Sequence, residues 1–157
     1  MNKEALRSAV LASIEAELSR QTRAAIDARE ESISEESRAE NKYDTHAQEA
    51  AYLAEAQARL AKELSAALEA WRALLFPGAI HERVQLGSLV TLATGSRQEW
   101  MLLGPSNGGL TVTENEKEVT VITPGSPIGR SLLGQALGAT LPPARKGAPA
   151  RRVAALA

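Results

Sequence analysis

The fold is decided by residues 53–78, which read LAEAQARLAKELSAALEAWRALLFPG. Apolar side chains recur in this stretch at spacings of three, four and seven, the pattern of a helix that buries one stripe of its surface. The stripe consists of Leu53, Leu60, Leu64, Leu68, Trp71 and Leu75. Pro77 and Gly78 stop the helix, because proline lacks the amide hydrogen that a helix needs and glycine favours a turn. We therefore predict one long helix over residues 41–76.

The residues that precede this stretch predict a matching helix over residues 3–33. Asn2 is placed to cap its first turn, and good helix formers follow. A weaker apolar seam, interrupted by Gln21, consists of Leu11, Ile14, Leu18 and Ala25. Both helices would be roughly 45–55 Å long, at about 1.5 Å per residue. Similar lengths and a short connector predict an antiparallel coiled-coil hairpin.

A short acidic segment, residues 30–44, carries the whole acidic bias of the hairpin. Residues 1–78, the predicted hairpin domain, have ten Lys and Arg against fourteen Asp and Glu, a net charge of −4. Residues 79–157, the predicted second domain, have eight against five, a net charge of +3. The acidic segment alone has six acids and two bases, which is again a net charge of −4. Asn41 and Asp44, both in this segment, are placed to cap the second helix. Alternatively, these acids only solvate an exposed turn.

The second half of the chain reads as a small β-rich α+β unit. Short runs rich in β-branched and apolar residues, separated by Gly, Asn and Ser, predict strands over residues 84–93, 99–103, 110–113 and 119–122. Ser126 and Pro127 open a short helix as its N-cap and first residue, and Gly134 ends it. A last strand is predicted over residues 151–156. The fold class is therefore predicted to be α+β, with a helical hairpin followed by a β-rich domain.

Composition argues against several classes of function. The chain has no cysteine, which excludes disulfides and thiolate chemistry. His46 and His81 have no second ligand at metal-binding spacing and are expected at the surface, and no serine lies in Gly-x-Ser-x-Gly. We therefore expect no catalytic activity of the chain's own and no tightly bound cofactor. No apolar run approaches the roughly 18 residues of a membrane span, and no signal peptide precedes the first helix, so a cytoplasmic protein without a membrane partner is expected.

The predicted short helix in the second half resembles a known motif. Residues Ser126–Gly134 read SPIGRSLLG and resemble the SPxxRxLLG-type motif in the C-terminal domain of Gre transcription elongation factors. Residues 86–92, LGSLVTL, resemble the opening strand of that domain, and residues 102–105, LLGP, resemble a later strand end. Glu40 and Asn41 resemble the pair at the end of the family's hairpin. The resemblance extends over essentially the whole chain, in the same order.

The resemblance implies an FKBP-like C-terminal domain that docks on bacterial RNA polymerase, with Ser126, Pro127 and Arg130 as the expected docking residues. It also implies a coiled coil that enters the secondary channel of the polymerase and assists cleavage of backtracked transcripts. In members that support cleavage, an Asp and a Glu three residues apart help to hold a second Mg²⁺ shared with the polymerase, as in other two-metal sites. The expected partners of this monomeric factor are RNA polymerase and, within the elongation complex, transcript RNA.

The acidic segment departs from the family pattern at one position. Glu40 matches the family's Glu and is the expected ligand of the shared Mg²⁺, but Ser37 stands three residues earlier, where Asp is usual. A nearby glutamate is one methylene longer than that Asp, and Mg²⁺ demands near-ideal ligand geometry, so cleavage itself stays open. The residues expected to reach the active centre of the polymerase are Glu35, Glu36, Glu40, Asn41 and Asp44.

Three functions therefore stay open. The chain is a cleavage factor, a Gre-like channel binder that regulates without cleavage, or a Gre-domain regulator of another protein such as nucleoside diphosphate kinase. The usual form of the third has a shorter hairpin than this one. Basic residues near the C-terminus offer attraction to RNA or to an acidic polymerase surface, the alternative being a solvated tail and edge strand. These residues are Arg145, Lys146, Arg151 and Arg152.

Overall fold

The computed structural model describes residues 1–33, 46–78, 81–143, 147 and 149–157. The helices in these residues are α1 (Lys3–Ile33), α2 (His46–Ala73) and α3 (Pro127–Leu132). The strands are β1 (Leu89–Thr94), β2 (Arg97–Leu103), β3 (Thr111–Glu114), β4 (Lys117–Ile122), β5 (Thr140–Leu141) and β6 (Arg151–Leu156). Two long helices followed by a mixed sheet confirm the predicted α+β class. No helix in the described residues has the length and apolar character to span a membrane.

Contacts divide the chain into two compact units. The sheet unit contains Met1–Leu11 and Ala70–Ala157, and the helical unit contains Ala12–Glu69. The first turns of α1 and the end of α2, which we call the feet (residues 1–11 and 70–78), therefore belong to the sheet unit. This division describes contacts. The predicted domains, residues 1–78 and residues 79–157, stay a prediction.

The sheet has the strand order β3-β4-β2-β1-β6-β5. Neighbouring strands are antiparallel except β2 and β4, which are parallel and pair Trp100 with Val119 and Leu103 with Ile122. Parallel neighbours need a crossover. Here β3 lies between them in sequence and forms the outer edge in space. The β1–β6 pair brings Ala157 to the centre of the sheet, where it exchanges backbone hydrogen bonds of 2.7 and 2.9 Å with Leu89.

One face of the sheet, the α3 face, holds a compact apolar core. Its fully or nearly buried members are Val84, Val90, Leu92, Leu103, Ile122, Leu132, Leu141 and Val153. Part of the opposite face, the foot face, is covered by the feet. Trp71 and Leu6 are fully buried there, as are Leu102 and Val121 of the sheet. Gly104 makes the close approach possible, because a Cβ on it would overlap the Trp71 ring and lie 3.2 Å from Cγ1 of Val121.

The end of α2 is held by cations from α1. Arg7 Nη2 donates to the Leu74 carbonyl at 2.7 Å and Lys3 Nζ to the Pro77 carbonyl at 2.8 Å, so two carbonyls that lack helical partners are satisfied. Both cations also lie over the Phe76 ring, at 4.5 Å from Arg7 Cζ and 5.6 Å from Lys3 Nζ to its centroid. Burial lowers the pKa of the Lys3 ammonium. These contacts tie the two feet to each other within the sheet unit.

The helix limits agree with the prediction at both ends of α1, and the predicted start of the second helix at residue 41 lies outside the described residues. The range Lys3–Ile33 is as predicted, and Asn2 caps it by accepting from the backbone N–H groups of Glu4 and Ala5 at 2.9 and 3.4 Å. The predicted end of the second helix at residue 76 is wrong, because α2 ends at Ala73. Pro77 has no N–H to offer the Ala73 carbonyl, and its ring disfavours helical backbone at the residue before it.

The helical unit is an antiparallel pair of helices. Gln21 of α1 lines one pocket with Gln57 and Leu60 of α2, and Ile26, further along α1, lines another with Ala54. The predicted stripe is buried at Leu64, Leu68 and Trp71. It is exposed at Leu53, Leu60 and Leu75, where the prediction is wrong. Leu75 lies beyond the end of α2 at Ala73.

The predicted strand over residues 84–93 is wrong in its first half. Gly87 has a φ of +85°, and the Ser88 N–H donates to the Gln85 carbonyl at 2.9 Å, so a turn interrupts the chain before β1. Val84 is still buried, because its N–H and carbonyl bond to Gln135 and Gly134, each at 2.8 Å. The other predicted strands lie within two residues of β2, β3, β4 and β6. The two-residue β5 was not predicted.

We expect Gly104→Ala to destabilise the protein by about 1–3 kcal/mol, the usual cost of overpacking, because the added methyl group overlaps the Trp71 ring. The measurement is the free energy of unfolding from urea denaturation. Gly78→Ala is the matched control. It lies in the same unit with no atom within 4 Å of the added methyl group, and its expected effect is within about 0.5 kcal/mol. Equal effects at the two positions would contradict the packing described here.

Candidate functional site

The segment Ser126–Gly134, which we call the docking segment, begins with a capped turn of helix. Ser126 has extended backbone angles, and its Oγ accepts from the Gly129 N–H at 3.0 Å and donates to the Thr123 carbonyl at 2.8 Å. Pro127 occupies the first helical position, where its missing N–H leaves no bond unmade. The predicted N-cap and first helical residue are therefore confirmed.

Other residues of the docking segment serve the packing of the sheet unit. A Cβ on Gly129 would overlap the Thr123 carbonyl, so only glycine fits there. Leu132 is fully buried in the core of the α3 face. Gly134 has a φ of +79°, which favours glycine, and its N–H donates to the Val84 carbonyl at 2.8 Å. The fold therefore explains these residues without reference to any partner.

Arg130 and Leu133 stand apart from this pattern. The Arg130 side chain is exposed, and its Nη1 donates to the Gly125 carbonyl at 2.5 Å across the turn that precedes α3. Leu133, next to the buried Leu132, is 47% exposed. Neither side chain adds to the apolar core. Of the predicted docking residues, Pro127 and Arg130 are exposed and Ser126 is partly buried, and the structure brings all three together around one turn.

Two more exposed leucines lie close to the docking segment in the fold. Leu86 is 40% exposed and Leu137 is 61% exposed. Backbone pairing places their segments alongside each other, through the bridge between Arg83 and Ala136 and the bonds of Val84 to Gly134 and Gln135. Arg83 itself is exposed and donates from Nη1 to the Gly134 carbonyl at 3.0 Å.

We call Leu86, Leu133 and Leu137 the leucine surface. It was missed at the level of sequence. The signal in the chain was the doublet Leu132-Leu133, because two adjacent residues of one short helix cannot both face the same core. The structure shows which of the two is buried. It also adds Leu86 and Leu137, whose segments lie far from each other in sequence.

The predicted acidic site lies outside the described residues. This holds for Glu35, Glu36, Glu40, Asn41 and Asp44, and equally for Ser37. Their arrangement and the shared Mg²⁺ therefore stay predictions. Within the described ranges, no three His, Asp or Glu side chains are grouped as a metal site. Of the predicted basic residues near the C-terminus, Arg152 is exposed and Arg151 is half-buried, whereas Arg145 and Lys146 again lie outside the described residues.

His81 is half-buried, which corrects the expectation of a surface histidine. Its Nδ1 lies 3.0 Å from the Gly78 carbonyl, and its Nε2 lies 2.8 Å from Ser88 Oγ. A Ser–His pair is the arrangement of an activated nucleophile. Ser88 is fully buried, however, and its Oγ also accepts from the Gln85 N–H at 3.0 Å. Because no substrate can reach this hydroxyl, the pair is structural. His46 was predicted to lie in the second helix, and it is the first residue of α2.

Comparison with known proteins gives similarities among solved structures alone. No protein-family model matches the chain, and no curated protein does. The chain is similar to a solved structure of the transcription factor Gfh1, with 21% identity and a TM-score of 0.38, over 94% of this chain and 93% of that one. It is similar to GreA factor homolog 1 (Gfh1) of Thermus thermophilus, with 21% identity, a TM-score of 0.38 and 94% of each chain covered. It is also similar to Thermus aquaticus Gfh1, with 22% identity, a TM-score of 0.38 and 92% of each chain covered.

Proposed function

We propose that this chain is a Gre-type transcription factor that binds bacterial RNA polymerase. In this proposal the docking segment and the leucine surface dock on the polymerase, and the acidic segment enters its secondary channel. The observation that carries the proposal is the exposure of Leu133 within a motif whose other apolar and small residues have a role in the fold. A motif residue that the fold leaves at the surface is available to a partner.

The chemistry of the leucine surface fits a protein partner. Its three leucines are exposed on hydrogen-bonded segments, and the exposed Arg83 and Arg130 belong to the same segments. Apolar side chains with arginines beside them are the usual composition of a contact that holds two proteins together. The complementary surface on the polymerase would be apolar, with carboxylates that pair with the two guanidinium groups.

The helical unit supplies the length that the proposal requires. From Ala12 to Ile33, α1 rises by roughly 33 Å at about 1.5 Å per residue, and α2 runs antiparallel to it. The acidic segment joins the C-terminal end of α1 to the N-terminal end of α2. A pair of helices that carries carboxylates at its connected end is suited to deliver them into a narrow channel.

In the proposed complex the chain assists a reaction that the polymerase performs, in the bacterial cytoplasm. The polymerase holds the Mg²⁺ ions of its active centre, and the Glu40 carboxylate would complete the coordination of the second ion. Two metal ions stabilise the attacking and leaving oxygens of phosphodiester hydrolysis. The chain is not an enzyme by itself in this account, acts as a monomer and needs no tightly bound cofactor.

A second candidate function is supported by Ser37. A serine stands where cleavage factors of this type have an aspartate. The hydroxyl has no charge, so it neutralises no part of the Mg²⁺ charge. Glu36 and Glu35 lie one and two residues before Ser37. Without a substitute carboxylate, the chain would occupy the channel and regulate the polymerase without cleavage.

We expect Leu133→Ala to weaken binding to RNA polymerase by about ten-fold, the effect of removing one well-packed apolar contact of 1–2 kcal/mol. Folding should be unaffected, because the side chain is exposed. The measurement is equilibrium binding of the labelled full chain to purified polymerase. Thr111→Ala is the control, since Thr111 is an exposed residue of the same unit on the edge strand β3 and lies outside the leucine surface. Docking by this surface is excluded if the two variants bind alike.

We expect Glu40→Ala to abolish any stimulation of transcript cleavage while the affinity for polymerase stays unchanged. The readout is RNA cleavage in a stalled, backtracked elongation complex. Glu35→Ala and Glu36→Ala report which of these carboxylates replaces the usual aspartate. Glu49→Ala, an exposed glutamate in the first turn of α2, is the matched control.

The same assay separates the two candidate functions. If the natural chain does not stimulate transcript cleavage and the Ser37→Asp variant does, the chain is a regulator without cleavage activity. Full stimulation by Glu40→Ala would contradict the proposed role of the acidic segment. The leucine surface is tested separately, by binding alone.

A further inference from the structure

The foot face of the sheet continues beyond the residues that the feet cover. Leu102 and Val121 are fully buried beneath the feet, but Trp100, two residues before Leu102 on β2, is only half-buried. Further out on the same end of the sheet, Gln98 and Lys117 are exposed. A tryptophan that the feet leave partly exposed therefore stands at the end of an otherwise packed face.

Strand alternation and pairing place the side chains around Trp100. Successive residues of a strand point to opposite faces, and paired residues share a face. Trp100 pairs with Val119 on β4 and with Thr91 on β1, and Ala93, two residues beyond Thr91, pairs with Arg152 on β6. Lys117 lies two residues before Val119, and its Nζ is 4.9 Å from the centroid of the Trp100 ring, which confirms that both are on the foot face.

Two acids of this end of the sheet, Glu99 and Glu118, point the other way. Glu99 pairs with Leu92, a core residue of the α3 face, and forms an ion pair with Arg97 at 3.1 Å. Glu118 precedes Val119 and therefore also faces away from Trp100. Glu114 pairs with Lys117 and therefore lies on the foot face. Its Oε1 accepts from the Asn2 N–H at 3.3 Å, at the positive end of α1, and from Asn115 Nδ2 at 2.7 Å.

These residues form an aromatic shelf, defined by Gln98, Trp100, Lys117, Ala93 and Arg152. Its two cations, Lys117 and Arg152, are exposed and stand on strands separated by β2 and β1, so their backbones are roughly 14 Å apart at about 4.8 Å per strand. Ala93 lies between them and is small, which leaves the surface open. The shelf therefore offers one aromatic ring and two positive charges.

We propose that the aromatic shelf binds single-stranded nucleic acid, with one base stacked on Trp100 and phosphates at Lys117 and Arg152. Every base has a flat π face, so stacking on an aromatic side chain is independent of sequence, and cations along the same surface neutralise the backbone. In the free protein the Lys117 ammonium occupies the ring face. On binding, the base takes that place and the ammonium moves to a phosphate.

The shelf discriminates against duplexes, because the bases of a duplex stack on each other and present no free face to the ring. It does not discriminate between RNA and DNA, since stacking involves no contact to the 2′-hydroxyl. The inference goes beyond the proposed polymerase binding and does not depend on it. The shelf uses neither the leucine surface nor the acidic segment, and its test needs the isolated full chain alone.

The test measures binding of a labelled oligonucleotide of about 12 nucleotides, as RNA and as DNA, to the full chain at low salt. Trp100→Leu should weaken binding by about ten-fold, as expected for loss of one stacked base, whereas Trp100→Phe should keep most of the affinity. The fluorescence of Trp100 should be quenched on binding. The other tryptophan, Trp71, is fully buried and should not respond.

Salt dependence tests the cations. Each phosphate contact contributes a slope of about −0.7 to the logarithm of affinity against the logarithm of salt concentration for single strands. Lys117→Gln and Arg152→Gln should each make this slope less steep by about 0.7. Arg97→Gln removes the same charge from the opposite face, next to Glu99, and is the matched control that should leave the slope unchanged.

Three results would overturn the inference. The first is no binding of either single strand at low salt. The second is equal binding of a duplex or of inorganic polyphosphate, with no effect of Trp100→Leu, which would mean general attraction of polyanions. The third is an equal loss of slope in Arg97→Gln and Lys117→Gln. Circular dichroism of each variant, compared with the natural chain, separates loss of binding from loss of fold.

Discussion

The indole ring of Trp71 packs against the bare backbone of Gly104, and the arrangement of the sheet unit depends on this contact. The ring buries on the order of 150–250 Å², worth about 4–6 kcal/mol at roughly 25 cal/mol per Å². Its N–H makes no hydrogen bond to the described protein atoms, at a cost of about 1–3 kcal/mol. Apolar burial therefore outweighs the unpaired donor. Because the ring sits so close, the feet cover Leu102 and Val121 and become part of the core of the sheet unit.

The feet cover only part of one face of the sheet, and this leaves the two faces with different surroundings. On the α3 face the core extends to Leu132, so the docking segment is rigidly attached to the sheet while Leu133 stays exposed. On the foot face the uncovered end holds Trp100 beside Lys117. Side-chain alternation then places Glu99 and Glu118 on the α3 face, and Lys117 and Arg152 on the foot face. One packing arrangement thus accounts for both the proposed protein contact and the proposed nucleic-acid contact.

Much of this fold follows from patterns in the sequence, and the rest depends on long-range contacts. Apolar spacing and capping residues predicted both ends of α1, and Ser126 predicted the start of α3. These signals depend only on residues within one or two turns of the helix end. The parallel pairing of β2 with β4 was not predictable, since short apolar runs do not specify their neighbours. The exposure of Leu133 and the neighbourhood of Trp100 also depend on pairing between distant segments. The acidic site was predicted from charge and from the resemblance at Glu40 and Asn41, and residues 34–45 of the acidic segment lie outside the described ranges.

The central claim is that the feet and the sheet form one cooperative unit. Native-state hydrogen exchange on the full chain tests it most directly, because it measures the opening free energy of each amide. The account predicts that amides of residues 6–11 and 71–74 open with the same free energy as amides of β1 and β2. If the amides of the feet exchange at a clearly lower free energy while the strands stay protected, the feet are not part of the core. The role given to Trp71 would then be wrong.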